Sequence, residues 1–183
     1  MSFIHGQHVD GPLRFVLNRP VVLIYIRVHE INHAVLSDLH ILLRWDLSAF
    51  AGKKVADHGL LELTTYSLQH KTEYVKDFGL IRVVEILGGD PKWDQATVTT
   101  DSFCRYEPLN RVLNTQMIID WPVTPGDGAK TYLTISKTVL QRIIDGKTHG
   151  IAIKALGAIN ASFYSMEDEA GKYSVWLHFN LEK

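Results

Sequence analysis

The sequence predicts an all-β fold, an antiparallel β-sandwich carrying one short helix, and three observations lead there. Short runs rich in β-branched and aromatic residues recur along the chain. Turn chemistry such as Gly88-Gly89-Asp90-Pro91 and Pro125-Gly126-Asp127-Gly128 divides them. Helical spacing is confined to one segment, and many short strands with almost no helix point to a sandwich. With 183 residues, 46% of them hydrophobic and 21% charged, the chain has material for one real core, and a single domain over residues 1–183 is expected.

Val21 to Val28 (VVLIYIRV) reads as a strand, with Pro20, which cannot donate to a ladder, at its start. The next run, His40 to Ala49 (HILLRWDLSA), sets Arg44 and Asp46 inside an apolar stretch. Side chains alternate along an extended chain, so Ile41, Leu43, Trp45 and Leu47 share the core face while His40, Leu42, Arg44 and Asp46 share the other. Further strands are expected at Leu60–Tyr66, Leu80–Ile86, Gln116–Trp121, Gly150–Lys154, Ser162–Ser165 and Ser174–Phe179. In SKTVLQRIIDG, Val139, Leu140, Ile143 and Ile144 recur at helical spacing. Ser136 stands at the N-cap and Gly146 where a left-handed C-terminal cap belongs, so one short amphipathic helix is expected there.

Composition removes several function classes. A formal net charge of −1 with no block of like charge gives no general attraction to nucleic acid or anionic membranes. The single cysteine, Cys104, cannot close an internal disulfide and reads as a small buried hydrophobe. The N-terminus lacks the ordered regions of a signal peptide, and the longest apolar run, Val21 to Ile26, is far short of the about 20 residues that span a bilayer. No nucleic-acid partner and no membrane span are therefore expected.

One string argues for an enzyme. His29-Glu30-Ile31-Asn32-His33 is an H-E-x-x-H, which on a helix puts two imidazoles on one face to bind zinc, with a glutamate as general base. Here it directly follows a β-branched strand, and no third-ligand motif of the H-x-x-G-x-x-H kind accompanies it. No phosphate-cradling loop, G-x-S-x-G or C-x-x-C occurs, and Glu167, Asp168 and Glu169 read as a solvated turn. No catalytic residue is assigned. Carbohydrate binding asks instead for flat aromatic faces with polar or cationic groups at their edges. Candidates are Trp121, Tyr106 and Tyr66, with Arg105, Arg111 and Lys71 near them in sequence. No cofactor is required. A structural calcium is left open, since no acidic loop has the spacing of a recognised site.

Several segments carry a family resemblance. ILLRWDLSAFAGKKVADHGLLEL resembles the LLRFDLS core of the DNRLRE domain, a β-sandwich module of secreted polysaccharide-acting proteins. KWDQATVT (Lys92 to Thr99), YLTISKTVLQRIIDGKTHGIAIKA and SFYSMED resemble, in order, that family's later turn, its helix and strand, and the strand before its last, so that the likeness covers about residues 39–179. Met1 to about Ser37 matches poorly, an isoleucine (Ile143 or Ile144) replaces the tryptophan usual in the helix, and TTDSFC stands where many relatives carry TW. The resemblance implies that Trp45, Trp93 and Trp176 are core or framework, and that Arg44 is largely buried and bonded to Glu167 or Asp46 as a structural ion pair.

The resulting expectation is a jelly-roll-like β-sandwich serving as a non-catalytic carbohydrate-binding module. It would target a secreted enzyme or surface protein to a polysaccharide, with acidic polymers such as alginate among the ligands the family implies. Such a module belongs outside the cell or at its surface, within a larger chain. The alternatives are a structural or adhesion domain without a sugar ligand and, third, a zinc metallopeptidase acting through His29 to His33.

Overall fold

The structure is a computed structural model and describes residues 4–7, 14–17, 22–28, 38–70, 79–93, 98–157, 159–164 and 173–182. In chain order its strands are β1 (Ile4–Gln7), β2 (Arg14–Leu17), β3 (Val22–Val28), β4 (Asp38–Arg44), β5 (Gly59–His70), β6 (Gly79–Ile86), β7 (Leu113–Pro122), β8 (Lys130–Ile135), β9 (Gly150–Gly157), β10 (Ile159–Phe163) and β11 (Trp176–Asn180). Among the described residues three α-helices interrupt them, α1 (Thr100–Cys104), α2 (Leu109–Val112) and α3 (Lys137–Ile144), with a single 3-10 turn at Ser48–Phe50.

Two antiparallel sheets result. The first runs β1-β2-β11-β5-β8, with β11 beside the first part of β5 and β10 beside its second part. The second runs β3-β4-β9-β6-β7. Count β2, β4, β5, β6, β7, β8, β9 and β11 as first to eighth. One sheet then reads first, eighth, third, sixth and the other second, seventh, fourth, fifth. That is the jelly-roll order, as expected.

The core lies where the inner faces meet. Ile41 and Leu43 of β4, Ile81 and Val83 of β6, and Ile151 and Ile153 of β9 face Leu61 and Leu63 of β5, Leu133 of β8, and Leu177 of β11. Trp45 and Leu47 join them, so the alternation read in HILLRWDLSA holds past the end of β4. The outer face of the second sheet is also covered. Leu42, Val84, Ile86 and Ala152 pack under Trp93, Phe103, Cys104 and Val112, contributed by the segment that holds α1 and α2. Cys104 is buried, as predicted. The two extra helices escape periodicity because each spans about one turn.

The helix expected in SKTVLQRIIDG is α3. Its Ser136 side chain accepts from the Val139 N–H, and Val139, Leu140, Ile143 and Ile144 are buried. Gly146 at φ +69° ends it, donating to Ile143 O while Lys147 N donates to Arg142 O, the paired bonds of a Schellman motif. This helix is fastened to β6 by an ion pair whose carboxylate is buried and whose arginine is partly exposed. Arg142 donates from Nε and Nη2 to Glu85 Oε1 and Oε2 at 2.7 and 2.6 Å. Asn114 Nδ2 adds a third bond at 3.0 Å, and the Thr148 hydroxyl a fourth.

Candidate functional site

The outer face of the first sheet differs from that of the second: aromatic and polar side chains stand on it. Alternation turns Leu61, Leu63, Leu133, Ile135, Leu177 and Phe179 inwards, so Glu62 of β5, Lys130, Tyr132 and Thr134 of β8, and Trp176 and His178 of β11 point outwards. Register places Tyr132 and Trp176 directly on either side of Glu62, a row that crosses three strands. Tyr132 is 45% exposed and Trp176 partly exposed. The Trp176 ring stacks on His178 with centroids 6.4 Å apart and planes 24° apart.

The polar groups of this row satisfy one another. Lys130 Nζ lies 2.9 Å from Glu62 Oε1 and donates to Thr64 Oγ1 at 2.7 Å. His178 Nε2 lies 3.1 Å from Glu62 Oε2. Further along β5 the pairing with β10 slips between Ser162 opposite Ser67 and Phe163 opposite Thr65, which leaves Tyr66 as the extra residue of a β-bulge. The bulge holds Tyr66 outwards at 58% exposure, edge-on to Tyr164 at 5.3 Å. Tyr164 in turn lies against Tyr173 at 4.4 Å and donates its hydroxyl to Asp127 Oδ1 at 2.8 Å. Beyond Tyr66, Gln69 and Asn160 face each other across the two strands. The result is a face that carries aromatic rings together with amide, hydroxyl and paired ionic groups.

Of the sequence-derived candidates, only Tyr66 belongs to this face. Trp121 is exposed but sits on β7 opposite Ile81, in the same phase as Val123 of the core and Ile119 packed against it, so it marks the rim of the sandwich. Tyr106, 89% exposed, follows α1 in a left-handed turn with Arg105 (φ 62° and 50°) on the segment covering the second sheet. Arg105 pairs with Asp90 at 3.1 Å, and Arg111 is exposed on α2. The strand positions next to Trp121 and to the end of α2, Ile81 and Ile86, are five residues apart on β6, about 17 Å. Trp121 and Tyr106 therefore do not share a surface. Lys71 lies outside the described residues.

Trp176 requires a correction. It is not core: Leu177 and Phe179 take the inward phase of β11, and Trp176 is left on the outer face. Tyr132 was absent from the sequence-derived set although Lys130–Ile135 alternates strictly between exposed and buried positions. Trp45 and Trp93 are buried, as the resemblance implied.

Arg44 is half-buried rather than largely buried, and it does not hydrogen-bond to Asp46. Its Nη1 donates to Pro91 O at 2.6 Å, and its guanidinium lies 5.1 Å from the centroid of the Trp93 ring. Asp46 is exposed and accepts instead from Ser48 N at 3.0 Å; bonds from Ser48, helped by the charge of Arg44, hold its carboxyl below the usual range. Arg44, Asp46, Ser48, Pro91 and His149 line an open cleft of about 270 Å³. Glu167 lies outside the described residues. Because Arg44 reaches solvent, Arg44→Ala is expected to cost about 1–2 kcal/mol in denaturant unfolding, the scale of one charge-assisted bond and one cation–π contact. A loss of about 3–5 kcal/mol would instead indicate a fully buried pair.

His29 to His33 and Glu167 to Glu169 also fall outside the described residues. Among the described residues no three His, Cys, Asp or Glu side chains gather as a metal-holding group, and no helix is long and apolar enough to cross a membrane. The chain matches no family model and no curated protein.

Proposed function

We propose that this jelly-roll domain is a non-catalytic carbohydrate-binding module that holds a polysaccharide on the outer face of the first sheet. The observation that carries the reading is the ring platform of Tyr132, Trp176 and Tyr66, whose polar neighbours Glu62, Lys130 and His178 are already bonded to one another. Sugar rings present C–H faces to aromatic planes and hydroxyls to groups at the edge, which is the chemistry this face offers. The resemblance to DNRLRE domains supports the same reading, and with it a place outside the cell or on its surface as a module of a larger chain.

Affinity electrophoresis against a panel of neutral and uronic-acid polysaccharides tests the proposal. Retarded migration is expected with at least one polymer, and Trp176→Ala should weaken it by about 1–3 kcal/mol, the scale of a lost aromatic anchor. Migration unaffected by every polymer would leave a structural or adhesion role in its place.

A further inference from the structure

We infer that the cleft at the end of β4 is a second ligand site, apart from the ring platform, and that it takes a single neutral sugar ring. Its walls come from the residues that follow β4, from Pro91, from the end of α3 and from the approach to β9. These belong to the second sheet and its connections, whereas the platform lies on the outer face of the first. The two sites share no residue. At about 270 Å³ the cleft has room for one ring rather than for a drug-sized molecule.

The polar groups lining it are of both kinds. Arg44 gives its Nη1 donor to a carbonyl, Pro91 O, and rests its guanidinium on the Trp93 ring, which fixes the group and leaves further N–H donors on the same fork. Asp46 lies near enough for the charge of Arg44 to help hold its carboxyl below the usual range, so at neutral pH it is an ionised acceptor. His149 Nδ1 stands 3.1 Å from Gly88 O, which can only accept; in the neutral ring Nδ1 therefore carries the hydrogen and Nε2 is the acceptor. Adjacent hydroxyls of a sugar donate and accept at once, and a guanidinium beside a carboxylate answers both. Leu47, Ile143 and Ile144 give apolar wall for the C–H face of the ring. An anion drawn to Arg44 would meet the charge of Asp46 beside it.

A second observation points to a ligand. Trp45 forms part of the wall and is only 5% exposed, yet its Nε1–H has no acceptor in the protein. Buried donors are rarely left so, and a hydroxyl seated against this indole supplies the missing acceptor. The opposite wall is set in advance, since Thr148 is bonded to Glu85 and His149 is held at Gly88.

The chain has four tryptophans, and each indole N–H gives its own signal in a proton–nitrogen correlation spectrum, so a titration of the whole chain reports which site is filled. The probes are glucose, galactose, mannose and N-acetylglucosamine and, separately, sodium phosphate. At least one sugar is expected to move the Trp45 indole signal and the amides of residues 44–48 and 148–150 to saturation. Arg44→Ala and Asp46→Ala, each shown to be folded by its own spectrum, should weaken that response at least about tenfold. Trp176→Ala should leave it unchanged, which separates this site from the platform. Movement of the Trp176 signal alone overturns the cleft while leaving the platform reading intact. A response at Trp45 to phosphate with every sugar silent overturns the ligand class. Full affinity in folded Arg44→Ala and Asp46→Ala overturns the assigned contacts, and silence of Trp45 and the cleft amides towards every probe overturns the site.

Discussion

Arg142→Ala is expected to destabilise the fold by about 3–5 kcal/mol, and by clearly more than Glu85→Gln, although the two variants break the same pair. The difference lies in which group is stranded. The Glu85 side chain is completely buried and Arg142 is 33% exposed. Removing the arginine leaves a carboxylate without its cation inside the protein. Removing the carboxylate's charge leaves a guanidinium able to turn towards water. Denaturant midpoints at neutral pH for both single variants and the double variant give the ordering and the coupling energy. Equal losses in the two singles would contradict the asymmetry.

The pH dependence has a definite sign. Burial alone raises the Glu85 pKa, but the bonds from Arg142, Thr148 and Asn114, with the arginine's charge, outweigh it and bring the folded value below the ordinary one. The contribution to stability is therefore complete above the unfolded glutamate value of about 4.3 and is lost as pH falls through the lower folded value. In Arg142→Ala burial dominates, the folded value moves up, and protonation relieves the stranded charge. The stability gap between wild type and variant should accordingly be widest near neutrality and narrow on acidification. A gap independent of pH would mean that the pair contributes through packing alone.

That ion pair shows where the sequence stops being legible. The alternation in HILLRWDLSA, the caps of α3 and the turns between strands are local, and each predicts its element because neighbours in sequence are neighbours in space. A bond between Glu85 and Arg142 spans 57 residues and nothing beside either residue marks it. Attention falls instead on Arg44, whose place in a strand is conspicuous and whose partners turn out to be a carbonyl and an indole face. The proposed binding face behaves likewise. Tyr132 has a clear period-two signal, yet its strand runs straight into the capped helix and no strand was expected there. Trp176 would have been placed outside the core by counting phase from Leu177 and Phe179, whereas position within a recognisable strand argued for framework. Only pairing across β8, β5 and β11 assembles the row, and pairing is a property of topology.

The same topology makes one glycine irreplaceable, and Gly150→Ala is expected to abolish folding or to cost more than about 4 kcal/mol. Gly150 opens β9 opposite Ile86 of β6, while the next residue, Ile151, pairs with Leu43 of β4. Its φ is +135°, and an added Cβ would stand 2.1 Å from the Leu43 carbonyl oxygen. Neither neighbour can yield cheaply, because the obstacle is backbone of a central strand whose side chains Leu42 and Leu43 are locked in apolar clusters on both faces. Gly146, at φ +69° with no atom within 4 Å of its would-be Cβ, provides the control. Gly146→Ala carries only the left-handed strain of about 1–2 kcal/mol and should remain folded. Soluble yield and thermal transitions of the two variants measured side by side decide the matter. If Gly150→Ala unfolds no earlier than Gly146→Ala, then β4 and β9 do not approach as closely as described, and the register that sets Arg44 above its cleft would have to be redrawn.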